Sequence, residues 1–188
     1  MHDCFTFKGT HLYVLYETYG YCVSSLYALG FASGAFTSLF IGAIVDNLGR
    51  KRAVLMYCVL EIIINYLEQY PSLICLTISR LIGGITTNLL FTVFEAWVVT
   101  EHRRRNFEES KLDDIFRDSN LVSNLAAILS GYIAHCLAST SLGPVGPFVG
   151  AVVFTFVALL IVSFLWCENY GNEDHGDAAP TLRDYISE

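Results

Sequence analysis

Charge is scarce in this sequence. Only 15% of the 188 residues are Asp, Glu, Lys or Arg, 54% are hydrophobic, and the mean hydropathy is +0.49. Soluble domains carry about 25% charged residues, and this chain falls well short of that, which by itself would also fit a large buried core. The shortage is uneven. Ser24–Val45 and Ala53–Leu60 contain no charged residue, whereas the short segments between apolar runs are crowded with them. A basic face is missing too. The formal net charge is −7, much of it on Glu168, Glu173, Asp174, Asp177, Asp184 and Glu188, and this balance excludes nucleic acid as an expected partner.

Metal and redox motifs are also lacking. The six cysteines, at 4, 22, 58, 75, 136 and 167, form no CxxC and have no ligand-like spacing to the five histidines. Most lie in apolar runs, where a free thiol behaves as a small hydrophobe. No zinc site, cofactor or disulfide framework is expected, and nothing favours pairing Cys4 with Cys22. There is no HExxH, GxSxG, phosphate loop or convincing carboxylate pair, so no catalytic arrangement emerges. The opening MHDCFTFKGT lacks a basic leader with an apolar core, so no signal peptide is expected.

What the chain does have is apolar length. Five runs, at about 24–45, 53–70, 72–97, 118–138 and 146–167, approach the roughly 20 residues needed to cross a bilayer. None alternates with period two, and within hydrocarbon the backbone must satisfy its own hydrogen bonds, so helices are predicted. The fold class is all-α, a transmembrane bundle over 24–167 between a polar segment 1–23 and an acidic tail 168–188. The cations agree. If five helices cross, Arg50, Lys51, Arg52, Arg103, Arg104, Arg105, Lys111, Arg117 and Arg183 fall on one side. Lys8 falls on the other, and Arg80 lies within a span. This asymmetry marks the first side as cytosolic, which puts segment 1–23 outside and the tail inside.

The first cytosolic turn reads GAIVDNLGRKR, residues 42–52. Gly42 is placed to admit a neighbouring helix, Gly49 to make a tight turn, and Asp46 to meet cations or a helix end. Arg50, Lys51 and Arg52 hold the turn at anionic headgroups. Such a turn suits a latch between helices that releases when they move.

This pattern resembles the loop between the second and third helices of the major facilitator superfamily. Arg80-Leu-Ile-Gly83-Gly84 resembles its fourth-helix arginine–glycine motif. More narrowly, LYVLY at 12–16, FEAW at 94–97 with Glu101-His102, LGPVGPF at 142–148 and CENY at 167–170 resemble the molybdate-anion transporter family. That resemblance implies a twelve-helix protein moving molybdate or a related oxyanion across a membrane. It gives this chain helices two to six of one half, so a missing or separate second half is implied. The setting is a multi-pass membrane protein, with the plasma membrane expected. The rival readings are a facilitator for another small solute, or a non-transporting membrane subunit. The sugar-porter motif is absent after the last span, where ENYGNEDHG follows instead.

Four residues are candidates for substrate or coupling roles. Arg80, a cation within a span, reads either as an oxyanion contact through its planar donor fork or as a structural ion pair. Glu95 reads either as a gate that pairs with the Arg103–Arg105 cluster or as a cap on the bundle at the interface. Asn120 and Asn124 share a helix face with Ala127, Gly131 and His135, which reads equally as a cavity lining or as small-residue packing. Trp97 is expected as an interfacial anchor, and EHRRRNFEESK as a loop. Counting about 1.5 Å per residue puts Glu61 and Arg80 at similar depth, so a shared contact or polar cavity is predicted.

Overall fold

A computed structural model describes residues 11–166 and Glu168. The described residues are helical with short connections and include no strand. Helix α1 covers 11–18, α2 Val23–Leu48, α3 Arg50–Leu67, α4 Leu73–Arg104, α5 Glu109–Ala138 and α6 Gly146–Leu165, with a 3-10 turn at Gly143–Val145 before α6. The all-α membrane class read from the sequence is the class observed. Four of these segments, Val23–Leu48, Leu73–Arg104, Glu109–Ala138 and Gly143–Leu165, are long and apolar enough to cross a membrane. Helix α3, outside this group, has 18 residues, about 27 Å at the helical rise, and carries Arg50, Lys51, Arg52, Glu61 and Asn65 along that length. It is sheltered instead, packed between α4 and α6 with Tyr57, Glu61 and Asn65 buried.

Helices α4 and α5 overshoot the runs that foretold them. At 32 and 30 residues each extends well past a hydrocarbon core about 30 Å thick. Apolar runs report only the part of a helix that lipid requires. The charged segments ESKLDDIFR and EHRR continue the same helices where lipid no longer selects against charge. The expected loop at EHRRRNFEESK shrinks to 105–108. Asn106 takes a positive φ of 53° there, and His102 Nε2 meets the Glu108 carbonyl at 3.0 Å.

Two apolar clusters fill the bundle. One, toward the basic turns, joins Val45, Val54, Tyr57, Leu89, Val93 and Val162. The other, toward the Pro71 turn, joins Leu12, Leu15, Tyr16, Leu26, Leu76 and Phe148. Buried polar groups, Glu61, Asn65, Glu68, Ser79 and Thr86 among them, come from the same helices. The outer surface is apolar: Phe31, Phe36, Leu39, Leu125, Ile128, Phe154 and Phe164 are all exposed. In water so much exposed apolar surface would drive association; in a bilayer it is the ordinary coat.

The short LGPVGPF turn follows from its glycines. Gly143 has φ +56°, and a Cβ on Gly146 would collide with the Leu137 carbonyl at the end of α5. Pro147 opens α6 where no helical N–H is needed.

Candidate functional site

Helices α2 and α4 cross with almost nothing between their backbones. A Cβ on Gly84 would stand 2.5 Å from the Gly34 nitrogen and 2.7 Å from Ser33 Oγ. The crossing is stitched by Ser33 Oγ donating to the Leu81 carbonyl at 2.7 Å, and by Asn88 Nδ2 donating to the Gly34 carbonyl at 2.7 Å and to Thr37 Oγ1 at 2.8 Å. This contact fixes the wall of a cavity of about 320 Å³, whose polar lining is Tyr27, Glu61, Arg80, Thr86, Thr87 and Asn88.

Arg80 is the one cation among the lining residues. Its Nη2 donates to Glu68 Oε1, and its guanidinium carbon lies 5.7 Å from the centre of the Tyr16 ring. The Arg80 side chain is 14% exposed and that of Glu68 is 0% exposed. The sequence prediction for Glu61 is met in one form and corrected in another. Glu61 and Arg80 do line one cavity, but the salt bridge the structure gives Arg80 is to Glu68. The reason is directional. Helix side chains lean toward their own N-terminus, and α3 and α4 run antiparallel. Arg80 therefore leans toward the Pro71 turn, where Glu68 caps α3, while Glu61 leans the other way. Glu61 accepts from Thr86 Oγ1 at 3.2 Å and from Asn65 Nδ2 at 3.4 Å. Applied to the sequence, that lean would have singled out Glu68.

The Pro71 turn is strapped over this pair by tyrosines. Tyr19 OH donates toward the Glu68 and Gln69 carbonyls at 3.3 and 3.2 Å, and Tyr21 OH to the Pro71 carbonyl at 3.2 Å.

The other expected residues lie elsewhere. Glu95 is exposed on α4; the carboxylate that meets the basic cluster is Glu101, 3.0 Å from Arg104 and 2.8 Å from Arg105, while Arg103 is 3.7 Å from Glu109. One helical turn separates these partners, so the nearer carboxylate wins. Asn120 and Asn124 are exposed on α5, which packs chiefly on α6, and neither reaches the cavity. Trp97, expected as an anchor, stacks on Trp166 with ring centres 4.3 Å apart, and Phe94 meets the same ring edge-on at 5.7 Å. FEAW thus joins α4 to the end of α6.

At the basic turns Gly49 ends α2 and starts α3 with φ 93° and ψ 140°. Arg50, whose side chain is 8% exposed, lies 3.4 Å from Asp46 and donates to Thr100 Oγ1 on α4. The Lys51 backbone N–H donates to Glu168 Oε1 at 2.8 Å, the Lys51 amine to the Ser163 carbonyl at 3.0 Å, and Arg52 lies 3.9 Å from Glu168. A carboxylate at a helix N-terminus is favoured by its dipole. Sequence reading missed Thr100 and Glu168 because both contacts join residues far apart in the chain. A Cβ on Gly42, read as admitting a neighbouring helix, would meet nothing within 4 Å.

Comparison with known proteins narrows the reading. A family model described as sugar transporters with 12 transmembrane segments matches residues 3–185. The molybdate-anion transporter of Xenopus tropicalis is 30% identical over 169 residues, covering 87% of this chain and 37% of that protein. The molybdate-anion transporter of Takifugu rubripes is 30% identical over 180 residues, covering 93% of this chain and 38% of its own length. That of Danio rerio is 28% identical over 172 residues, covering 89% and 35%. The chain therefore spans little more than a third of the length of these curated relatives. No solved structure matches it. With a helix bundle coated in apolar side chains, and a family match running almost from end to end, the chain belongs to this twelve-span transporter family of the major facilitator superfamily.

Proposed function

We propose that this chain is part of a facilitator-type transporter that carries a tetrahedral oxyanion, molybdate or a close analogue, across the plasma membrane, moving its cargo without transforming it. The observation that carries the reading is Arg80, a planar donor fork set in an otherwise cation-free cavity. A guanidinium matches an oxyanion with paired donors, and the relatives named above are molybdate-anion transporters. Facilitator halves hold substrate between them near the midplane, so a second half would close this cavity, and the exposed Asn120–Asn124 face of α5 would meet it. The Asp46–Arg50 turn would then act as the latch, with Gly42, Gly49 and Lys51 shaping it.

A second reading has its own support. Glu61, Thr86, Thr87 and Asn88 offer hydrogen bonds to a neutral polyol, and the family's description names sugars. Calorimetric titration of the purified chain in lipid nanodiscs with molybdate and, separately, with a hexose separates the two. Saturable molybdate binding that Arg80→Gln weakens at least about tenfold, the loss of a charged hydrogen bond, supports the oxyanion reading. Hexose binding without molybdate binding overturns it in favour of the neutral solute. Binding of neither leaves a non-transporting subunit.

A further inference from the structure

On one wall of the cavity, oxygen atoms outnumber the hydrogens offered to them. Glu61 on α3 and Gly83, Thr86 and Thr87 on α4 line the same space. The Thr86 hydroxyl lies 3.2 Å from Glu61 Oε1 and 3.1 Å from the Gly83 carbonyl. A hydroxyl has one hydrogen, so it serves only one of these two oxygens at a time. Thr87 Oγ1 donates to the same carbonyl at 2.8 Å. Asn65, 0% exposed, gives its Nδ2 to the Glu61 carbonyl at 2.7 Å and to Glu61 Oε2 at 3.4 Å. Its Oδ1 is buried with no hydrogen-bond partner. An orphaned buried acceptor beside so many oxygens points to an ion or a water.

The spacing fits a cation. Bonds of about 2.4 Å to an ion of sodium's or calcium's size, meeting near right angles, put neighbouring ligand oxygens about 3.4 Å apart. Glu61 Oε1, Thr86 Oγ1 and the Gly83 carbonyl follow one another at 3.2 and 3.1 Å. Gly83 leaves room beside them, since the nearest group an added Cβ would meet is the Arg80 guanidinium carbon at 4.0 Å. The chemistry narrows the ion. Calcium sites gather several acidic ligands, and zinc or copper takes nitrogen or sulfur donors, whereas here one carboxylate stands among neutral oxygens. Arg80 lines the same cavity, but it donates to the buried Glu68, which lies outside the lining. Arg80, Glu68 and Glu61 together carry one net negative charge, which a monovalent cation balances. Glu61 is 6% exposed and Thr86 1%, so an ion held there is shielded from water and its attraction to the carboxylate is strong.

We propose that Glu61, Thr86 and the Gly83 carbonyl form a binding site for a sodium ion between α3 and α4. Asn65 completes it. A half-turn of its side-chain amide exchanges Nδ2 for the orphaned Oδ1 and brings a further oxygen to the ion. The site does not depend on which solute the cavity carries, so it stands apart from the oxyanion reading. It bears on that reading all the same. A cation at Glu61 offsets the repulsion between this carboxylate and any anion drawn to Arg80, and by reciprocity each ion then favours the binding of the other.

The test uses the purified chain in lipid nanodiscs, with choline chloride replacing sodium chloride at constant ionic strength. Binding of radioactive sodium should saturate and should be displaced by unlabelled sodium. Glu61→Gln should weaken it at least about tenfold, the loss of one charged contact. Thr86→Val, which keeps the shape and removes the hydroxyl, should weaken it several-fold. Glu101→Gln, at the basic turns, should leave it unchanged. On the unaltered chain, a membrane-permeant carbodiimide should modify Glu61 about tenfold more slowly once sodium reaches about ten times its Kd, read by peptide mass spectrometry. That protection ties the ion to the carboxylate even where a variant does not fold. No saturable sodium binding, full binding by a folded Glu61→Gln chain, or modification of Glu61 indifferent to sodium overturns the site. Displacement by calcium at far lower concentration than by sodium overturns the monovalent assignment. Molybdate binding is decided separately by the calorimetry above, so either inference can fail while the other stands.

Discussion

Gly84 shows how much a missing methyl group can determine. Its hydrogen faces the α2 backbone at a distance no side chain tolerates, and the cavity wall exists because the two helices touch there. Adding a methyl forces the helices apart or bends them, and such overpacking costs about 1–3 kcal/mol. Gly84→Ala should therefore lower the denaturant midpoint of the reconstituted chain by that amount, followed by circular dichroism. Gly131→Ala, which meets open space, should leave it unchanged; equal effects would show that the α2–α4 contact is not tight. Arg80 was legible in the sequence because a cation inside an apolar run stands out. Its partner was not. Glu68 sits where the apolar run of α3 fades toward a turn, so it reads as a boundary carboxylate facing water. Depth counting favoured Glu61 because it ignored the lean of helix side chains.

At the scale of elements, α3 is the instructive helix. It is short for a spanning helix and one of the most enclosed, and its N-terminus is held by residues from three other places: Asp46, Thr100 and Glu168. Its starting residue, Gly49, occupies backbone space that side chains rarely enter. Gly49→Ala should cost about 1–3 kcal/mol in the same unfolding measurement. Gly42→Ala should be neutral or stabilising by up to about 1 kcal/mol, since it replaces an unencumbered helical glycine. A large loss at Gly42 in the isolated chain would show that the residue packs against this half itself. The existence of the helices was legible because lipid imposes a strong compositional filter. Their true ends were not, because beyond the lipid that filter disappears and α4 and α5 continue in charged sequence.

For the molecule as a whole, the placement of charge has the clearest consequence. Among the described residues every Lys and Arg except Arg80 belongs to the turns and helix ends gathered around Arg50, Arg104 and Glu109. Cytosolic retention of such clusters orients membrane proteins. In cells, on a background with native cysteines replaced, Arg104→Cys should resist a membrane-impermeant maleimide and Thr140→Cys should react. The reverse pattern would invert the orientation. What remained hidden at this scale was the pairing of distant motifs. FEAW and the end of the last helix lie about seventy residues apart in the chain and form one aromatic stack in space, a relation that requires the fold.

That stack gives the protein an optical property. Trp97 and Trp166 are the only two tryptophans in the chain, and their rings overlap at 4.3 Å with 25° between planes. Two identical chromophores held so closely couple their excited states, so absorption and emission report the pair rather than either ring. Because one indole rides on α4 and the other at the end of α6, the coupling is a native gauge of the distance between those helices. It needs no attached dye, and it reads from the end of the bundle opposite the Arg80–Glu68 pair.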